Sequence, residues 1–195
     1  EGGMVSTDNK IIADSVHSTR THGRRDGDVY FEFDRIGFNS KMTDMQASIG
    51  LEGVEKFSWT FVTRRNHLFY LLQFIKKEHN AKKHAYFTEE APSDDYYHCP
   101  HAFSVVLKDP SERNYKRLCE ILDDRSIAWK KNFGSIPTQH KAYAYMKHKV
   151  GDFPEAEYVG SYGLHVGVHQ YLSADDLDQI KAAFIQFFLE LDETS

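Results

Sequence analysis

Residues 37–50 read GFNSKMTDMQASIG and join a polar loop to a helix with clear start signals. Thr43 is followed three residues later by Gln46, the spacing of a capping box, in which each side chain accepts a hydrogen bond from a backbone N–H group of the first turn. The helix is therefore predicted to start at Thr43 and to run to residue 57. Apolar or small residues recur along it every three or four positions and predict one buried stripe: Met42, Met45, Ile49, Gly53 and Phe57.

Two polar residues, Asn39 and Lys41, lie just before this helix start. A helix N-terminus gathers unpaired N–H donors and positive potential, so an anion, especially a phosphate, is bound well there. One interpretation is thus a phosphate-binding loop. The other is an Asn in a turn conformation beside a solvated Lys, which short polar loops commonly contain. The residues alone favour the second interpretation.

The same loop and helix closely resemble a segment of the DegT/StrS-type sugar aminotransferases, a pyridoxal phosphate (PLP) family in which it reads approximately GxNxRMTxxQAAIG. Residues 1–4, EGGM, look like the family's GEGG turn after the cofactor lysine, and Thr21-His22-Gly23 resembles its xHG turn. The resemblance follows the family's C-terminal half. We therefore interpret the chain as the back half of a longer polypeptide, with the anchoring His or Lys expected just upstream of Glu1, which is itself not a Met.

The resemblance implies an α/β fold, namely the C-terminal part of a fold-type I (aspartate aminotransferase-like) PLP enzyme. Residues 1–57 would form the end of the large PLP-binding domain and carry the dimer-interface helix. Residues 58–195 would form the connecting helix and the small α+β domain.

Periodicity and capping signals predict the other elements without the resemblance. A strand over 2–7 is followed by a helix that Asp8 caps and Gly23 ends, and then by a long loop over 24–38. A long helix is predicted over 58–78 and an acidic, turn-rich segment over 88–100. Three strands, at 101–107, from 127 and at 164–168, alternate with helices that follow Ser111, cover 137–146 and follow Ser173. This order predicts a compact α/β or α+β unit.

Composition excludes several classes of protein. The chain has 195 residues, 41% of them hydrophobic and 14% aromatic, which is enough for a core. A net charge of −5 argues against general binding to nucleic acid or anionic membranes, and no apolar run approaches the ~18 residues of a spanning helix. The two cysteines fit no disulfide framework, which favours a cytoplasmic location. No P-loop, GxGxxG or G-x-S-x-G motif is present.

The resemblance implies that Asn39 and Lys41 bind the cofactor. Asn39 would donate a hydrogen bond to the phosphate of PLP or of pyridoxamine 5'-phosphate (PMP) in the neighbouring subunit, and Lys41 would add a positive charge to the cofactor or nucleotide-sugar region. A site completed by two subunits implies a homodimer.

Three further residues are candidates for binding substrate. His140 lies in IPTQHKAY, residues 136–143, which resembles the family's PLHxQPAY segment by the nucleotide-sugar pocket; a His without any such role is the alternative. His22 and Arg24, together with Arg20, would meet a substrate or glutamate carboxylate. They are equally consistent with cations that complement the dipole at a helix C-terminus.

Metal binding is not expected. His165 and His169 are four strand residues apart, about 13 Å, which is too far for a shared zinc ion, so a pocket wall or interface is the better interpretation. Residues 98–101, HCPH, lack a second pair of ligands at zinc spacing.

Lys41 is a departure from the aminotransferases, which usually have Arg there. The family's 3-dehydratase branch more often has Lys before a TDMQA run, and residues 163–169, GLHVGVH, look more like its WIGVYP stretch than the LPLHP of the aminotransferases. The resemblance thus implies dehydration at C3 of a nucleotide-linked 4-keto-6-deoxyhexose, in particular GDP-4-keto-6-deoxymannose, with glutamate as amino donor, as in colitose synthesis for lipopolysaccharide O-antigen. A sugar aminotransferase is the alternative enzyme, and a sugar-binding or scaffolding domain the non-enzyme alternative.

Overall fold

The computed structural model describes residues 2–25, 27, 32–77, 81–88, 98–133 and 136–194. The chain divides into two compact units, Glu1–Phe57 and Ser58–Ser195. Their assignment to the large and small domains of a longer enzyme stays a prediction. Several predicted features lie outside the described residues: Glu1 of the GEGG-like turn, residues 26 and 28–31 of the long loop, residue 78 at the end of the second long helix, and residues 89–97 of the acidic segment.

The first unit begins with helix α1, Lys10–Arg20. Its N-cap is Asn9 rather than the predicted Asp8, because the Asn9 side-chain oxygen accepts the N–H groups of the first turn. The helix ends at Arg20, three residues before the predicted Gly23. The strand predicted over 2–7 is wrong, since these residues pair with no strand in the described parts of the chain.

Helix α2, Asp44–Glu55, confirms the capping box. The N–H of Gln46 donates to the Thr43 hydroxyl at 3.3 Å, and the N–H of Thr43 donates to the Gln46 side-chain oxygen at 2.9 Å. The predicted buried stripe is wrong for this chain. Its large members are 53% to 80% exposed: Met42, Met45, Ile49 and Phe57.

The second unit contains a four-stranded antiparallel sheet in the order β1-β2-β4-β3. Its strands are β1 Ala85–Phe87, β2 Ala102–Leu107, β3 Trp129–Lys131 and β4 Gly163–Gly167. The antiparallel pairing makes this unit α+β, as the prediction for the small domain had it. β1 is an additional strand that the sequence pattern does not indicate.

Helices surround this sheet: α3 Phe57–Lys77, α4 Ala81–His84, α5 Glu112–Asp124, α6 Pro154–Tyr162 and α7 Ala174–Glu193. The predicted caps Ser111 and Ser173 are confirmed, since each hydroxyl accepts a backbone N–H of the first turn of its helix. The helix predicted over 137–146 is instead two 3₁₀ turns, Pro137–Gln139 and Lys141–Met146. Helix α6 was not predicted.

The core lies between one face of the sheet and helices α3, α5 and α7. Alternate residues of β2 and β4 point into it: Phe103, Val105, Leu107, Leu164 and Val166. The helices contribute Leu68, Leu71, Leu72, Ile75, Leu118, Ile121, Leu122, Ile180, Phe184 and Phe187. The centroids of the Phe103 and Phe184 rings lie 5.3 Å apart in an edge-to-face arrangement. This contact stabilises the core in addition to the burial of the two rings.

No helix in the described parts of the chain combines the length and the apolar composition needed to cross a bilayer.

Candidate functional site

Backbone hydrogen bonds attach the loop that carries Asn39 to the end of α1. The N–H of His22 donates to the Phe38 carbonyl at 2.9 Å, and the N–H of Ser40 donates to the Arg20 carbonyl at 3.0 Å. These two bonds flank Asn39 on both sides. The position of its Cα is therefore set by the backbone and does not depend on its side chain.

Two glycines allow this close pairing. Gly23 has a φ of +85°, and a Cβ there would lie 1.8 Å from the Arg35 carbonyl oxygen. A Cβ at Gly37 would lie 2.1 Å from the Gly23 nitrogen. Only glycine fits at such distances, so the turn after α1 and the returning loop are in direct backbone contact. His22 also has a left-handed φ of 65°.

The side chains of Asn39 and Lys41 are exposed. Within the described residues the Asn39 amide has no hydrogen-bonding partner, so both of its N–H groups are available to a ligand. The Lys41 Nζ lies 3.2 Å from the His22 Nε2. The structure thus brings together three of the residues predicted from the sequence: His22, Asn39 and Lys41.

An open concavity of about 780 Å³ lies next to these residues in the first unit. Its lining combines glycines and apolar residues with polar ones, among them the two cations Arg20 and Lys41 and the amide-bearing residues Asn39 and Gln46. Hydrogen-bond donors and positive charge at one helix N-terminus are the groups that a phosphate needs. The concavity is therefore suited to a phosphorylated ligand.

Arg24 does not line this concavity. It is half-buried, it pairs through its backbone with Phe33, and its guanidinium lies 6.0 Å from the centre of the Phe33 ring. The neighbouring Arg25 makes a two-bond ion pair with Asp34, and this hydrogen bonding holds the pKa of Asp34 below its ordinary value. The structure gives Arg24 a place within the loop, whereas Arg20 faces the concavity.

His140 belongs to the second unit, where it is exposed between the two 3₁₀ turns. The residue before it, Gln139, donates to the Glu157 carboxylate at 2.7 Å. The same carboxylate oxygen accepts the backbone N–H groups of Gly151 at 2.7 Å and Phe153 at 3.3 Å. The hydrogen bond from Gln139, followed by that from Gly151, lowers the pKa of Glu157.

Glu157 was missed by sequence reasoning, since nothing in its local pattern distinguishes it from a surface carboxylate at the start of a helix. Its role comes from contacts with residues up to 18 positions away. It holds the segment that carries His140 in place.

His165 lies on the face of the sheet opposite the core, half-buried. Burial, and to a smaller extent the nearby His101 and Lys130, lowers the pKa of His165 and keeps it neutral at neutral pH. Its Nδ1 lies 3.2 Å from the Asn132 side-chain oxygen, and Asn132 in turn donates to the Val105 carbonyl. The hydrogen-bonding partners of His165 among the described residues are thus neutral, and its predicted place in a pocket wall or interface stays a prediction.

The described residues contain no group of three or more His, Cys, Asp or Glu side chains that could bind a metal ion. Cys99 and Cys119 are both unpaired thiols, which agrees with the prediction that they form no disulfide framework.

A comparison with protein families matches residues 1–185 to the DegT/DnrJ/EryC1/StrS aminotransferase family. The chain is 26% identical over 203 residues to the GDP-4-keto-6-deoxy-D-mannose 3-dehydratase of Escherichia coli O55:H7, covering 93% of this chain and 49% of that protein. It is 26% identical over 188 residues to the GDP-perosamine synthase of Caulobacter vibrioides, covering 95% and 48%. The chain thus spans about half the length of the curated relatives it matches.

Solved structures show the fold. The PLP form of the putative sugar aminotransferase Spr1654 from Streptococcus pneumoniae superposes with a TM-score of 0.75 at 14% identity, covering 94% of this chain and 45% of that one. Its PMP form gives a TM-score of 0.74 at 15% identity, with 96% and 46% covered. The predicted α/β fold of the aminotransferase type is therefore confirmed.

Proposed function

The chain belongs to the DegT/DnrJ/EryC1/StrS aminotransferase family, and on this premise we propose that it is part of a PLP- or PMP-dependent enzyme that removes the C3 hydroxyl of a nucleotide-linked 4-keto-6-deoxyhexose. GDP-4-keto-6-deoxymannose is the proposed substrate, glutamate the amino donor and a homodimer the active form. The observation that carries the proposal is the placement of Asn39 and Lys41 on one concavity beside a helix N-terminus.

The residues of this concavity fit the cofactor's phosphate. Among the described residues the Asn39 amide has no partner for its two N–H donors. The first N–H groups of a helix have no acceptor within the helix, and in α2 the capping box pairs those of Thr43 and Gln46 but not those of the first two helical residues. Lys41 supplies a positive charge that no described carboxylate neutralises. Asn39 would therefore donate to a phosphate oxygen of the cofactor in the partner subunit, and Lys41 would attract the phosphate or the nucleotide diphosphate.

The cofactor, when bound, supplies the electron sink that this chemistry requires. The protein groups orient the sugar and the cofactor, and His140 is the residue of the second unit that we assign to the sugar. The C3 hydroxyl leaves as water, and one water is consumed in the hydrolysis that frees the ketosugar product and ammonium, so the overall reaction replaces C3–OH by C3–H with no net release of water. The electron pair that replaces the C3–O bond comes from glutamate, which is released as 2-oxoglutarate and ammonium.

Two features favour the dehydratase over an aminotransferase. Lys41 stands where the aminotransferases usually have Arg, and residues 163–169, GLHVGVH, look more like the WIGVYP stretch of the dehydratase branch than the LPLHP of the aminotransferases. The similarity to a GDP-perosamine synthase keeps the aminotransferase as the second candidate. Mass spectrometry of the sugar product distinguishes the two, because the dehydratase product has lost an oxygen, whereas the aminotransferase product carries an amine in place of the ketone oxygen.

The Asn39→Ala variant tests the assignment to the cofactor. Losing a hydrogen bond to a charged group should weaken PMP binding by about 1.5–3 kcal/mol. The measurement is the PMP dissociation constant of the complete protein, with Asn114→Ala as control, because Asn114 lies in the second unit and bonds to Asp109. An unchanged dissociation constant for Asn39→Ala would remove this residue from the cofactor site.

A further inference from the structure

The contact between Lys41 and His22 joins two residues that are 19 positions apart in the chain. The Lys ammonium has three donors and no acceptor, so the His22 Nε2 must accept, which requires the neutral ring with its proton on Nδ1. The distance of 3.2 Å between Nζ and Nε2 fits such a bond. His22 therefore takes one of the three ammonium donors and leaves two for a ligand.

The position of His22 is fixed by the backbone. Its N–H donates to Phe38, its φ of 65° is left-handed, and the next residue is Gly23, which is in contact with the Arg35 carbonyl. Histidine is one of the residues that tolerate a left-handed φ more readily than most. The His22 ring is half-buried, whereas Lys41 is exposed. The ring is thus the better-fixed member of the pair.

Lys41 has no other partner among the described residues. Its side chain has four rotatable bonds, and a long exposed Lys loses much conformational entropy when it is held in one rotamer. A bond to the His22 ring restricts these rotamers before any ligand arrives, so less entropy is lost when the ligand binds.

We infer that His22 is a positioning residue for Lys41: its Nε2 holds the Lys41 ammonium at the edge of the concavity, where the ammonium meets the anionic part of the ligand. The inference rests on the proposed function, because it takes the ligand to be a nucleoside diphosphate sugar. It assigns His22 to the orientation of a cation, and not to direct contact with a substrate carboxylate.

Three variants separate this role from a purely structural one. His22→Asn keeps a residue that tolerates the left-handed φ, but its side chain is too short to place an acceptor at the position of Nε2. His22→Gln extends an amide oxygen to about that position. Lys41→Met removes the charge and keeps the length of the side chain.

The experiment measures the dissociation constant of GDP by calorimetry, in the complete protein loaded with PMP. His22→Asn should weaken GDP binding about three- to tenfold, the range of one oriented hydrogen bond, and His22→Gln should restore most of it. In the Lys41→Met background, His22→Asn should have no further effect, since the ammonium it positions is gone.

Two results would overturn the inference. Equal weakening by His22→Asn in both backgrounds would mean that His22 acts without Lys41. Wild-type GDP binding by Lys41→Met would mean that the ammonium does not meet this ligand. The proposed function is tested separately, by the weaker binding of PMP to Asn39→Ala. If that weakening is seen, either of the two results above overturns only the role of His22 and leaves the proposed function in place.

Discussion

At the scale of single residues, the contact of Gly23 with the Arg35 carbonyl sets the geometry of the loop that carries Asn39. Any larger residue at position 23 must both accept a φ of +85° and push the carbonyl away. The same backbone pairing holds His22 and Phe38 together. The position of Asn39, the proposed cofactor ligand, therefore depends on Gly23, a residue that has no side-chain functional group.

We expect Gly23→Ala to lower the free energy of unfolding by at least about 2 kcal/mol, the cost of a left-handed Ala plus a displaced backbone. The matched control is Gly27→Ala, because Gly27 has a similar φ of +86° but no atom of the described residues within 4 Å of the added Cβ, so only about 1 kcal/mol is lost. Urea unfolding of both variants gives the comparison. Equal losses would show that the contact with Arg35 is easily relieved.

The sequence indicated some residues of the candidate site, but it did not indicate the contacts that they make. Asn39 and Lys41 could be found because they precede a helix start within a few residues. The contact of Lys41 with His22 could not be found, since it depends on pairing between two loop segments that only the folded backbone brings together. Arg24 lies half-buried beside the Phe33 ring and does not line the concavity, so its predicted contact with a substrate stays a prediction.

At the scale of elements, α2 has no buried residue. An isolated helix of its 12 residues would be only marginally stable in water. Its apolar residues Met45 and Ile49 are 80% and 75% exposed, so this face of the helix presents a large apolar surface. We therefore expect this face to be covered by the partner subunit.

An Asp at the centre of this stripe should oppose that association. Ile49→Asp would place a charge in an apolar interface, and we expect it to weaken the dimer by about 3 kcal/mol, roughly a hundredfold. Sedimentation of the complete protein measures this. Ser48→Asp is the control, because it adds the same charge next to the stripe. An unchanged dimer dissociation constant for Ile49→Asp would show that this stripe is not part of the dimer interface.

The packing of α5 against α7 includes an ion pair that titrates. Two hydrogen bonds from the Arg117 guanidinium to the Glu190 carboxylate lower the pKa of Glu190 to about 2, from an ordinary value of 4.5. The stabilisation is complete above the unfolded-state pKa and is lost as the pH falls towards the folded-state value. Because both side chains are more than a third exposed, it amounts to about 1 kcal/mol or less.

Arg117→Met should therefore lower the urea midpoint at pH 7 and change it much less at pH 2, where Glu190 is almost fully protonated in the unfolded state and about half protonated in the folded state. The control is Lys116→Met, whose exposed contact with Glu120 has a distance of 4.0 Å. That variant should alter neither the midpoint nor its dependence on pH. If Arg117→Met lowered the urea midpoint by the same amount at both pH values, the ion pair with Glu190 would not be the source of the lost stability.

Elements with caps were predicted more accurately than elements without them. Ser111, Ser173 and Thr43 each mark a helix start by the spacing of a side-chain acceptor, a local signal that the structure confirms. The strand over 2–7 had only local β-propensity, which does not form a strand without a partner to pair with. Helix α6 has no side-chain cap hydrogen bond, and so it lacks the signal that identified the others.

At the scale of the whole molecule, all the large, fully buried core residues in the described parts of the chain belong to the second unit. Phe184 is 1% exposed and lies between the sheet and the neighbouring helices. We expect Phe184→Ala to cost about 3–5 kcal/mol in the free energy of unfolding, because the cavity cannot close. Leu189→Ala is the control on the same helix: Leu189 is 55% exposed, so its loss should change stability by no more than about 0.5 kcal/mol.

Denaturant unfolding followed by circular dichroism measures both variants. Similar losses for Phe184→Ala and Leu189→Ala would mean that the phenyl ring is not part of a close-packed core. The overall composition of this core was predictable, since the apolar periodicity of α3, α5 and α7 indicates which residues meet. The order of the strands was not predictable, because it depends on contacts between distant parts of the chain.

The three hydrogen bonds that the Glu157 carboxylate accepts have a consequence for protein engineering. They tie the two ends of a surface excursion to one helix, so residues 141–148 can be exchanged or lengthened without displacing His140. Because His140 is the residue that we propose to contact the sugar, grafting this excursion from a relative would test that proposal by a change in sugar preference. Replacing Glu157 itself would release both ends at once and remove that freedom.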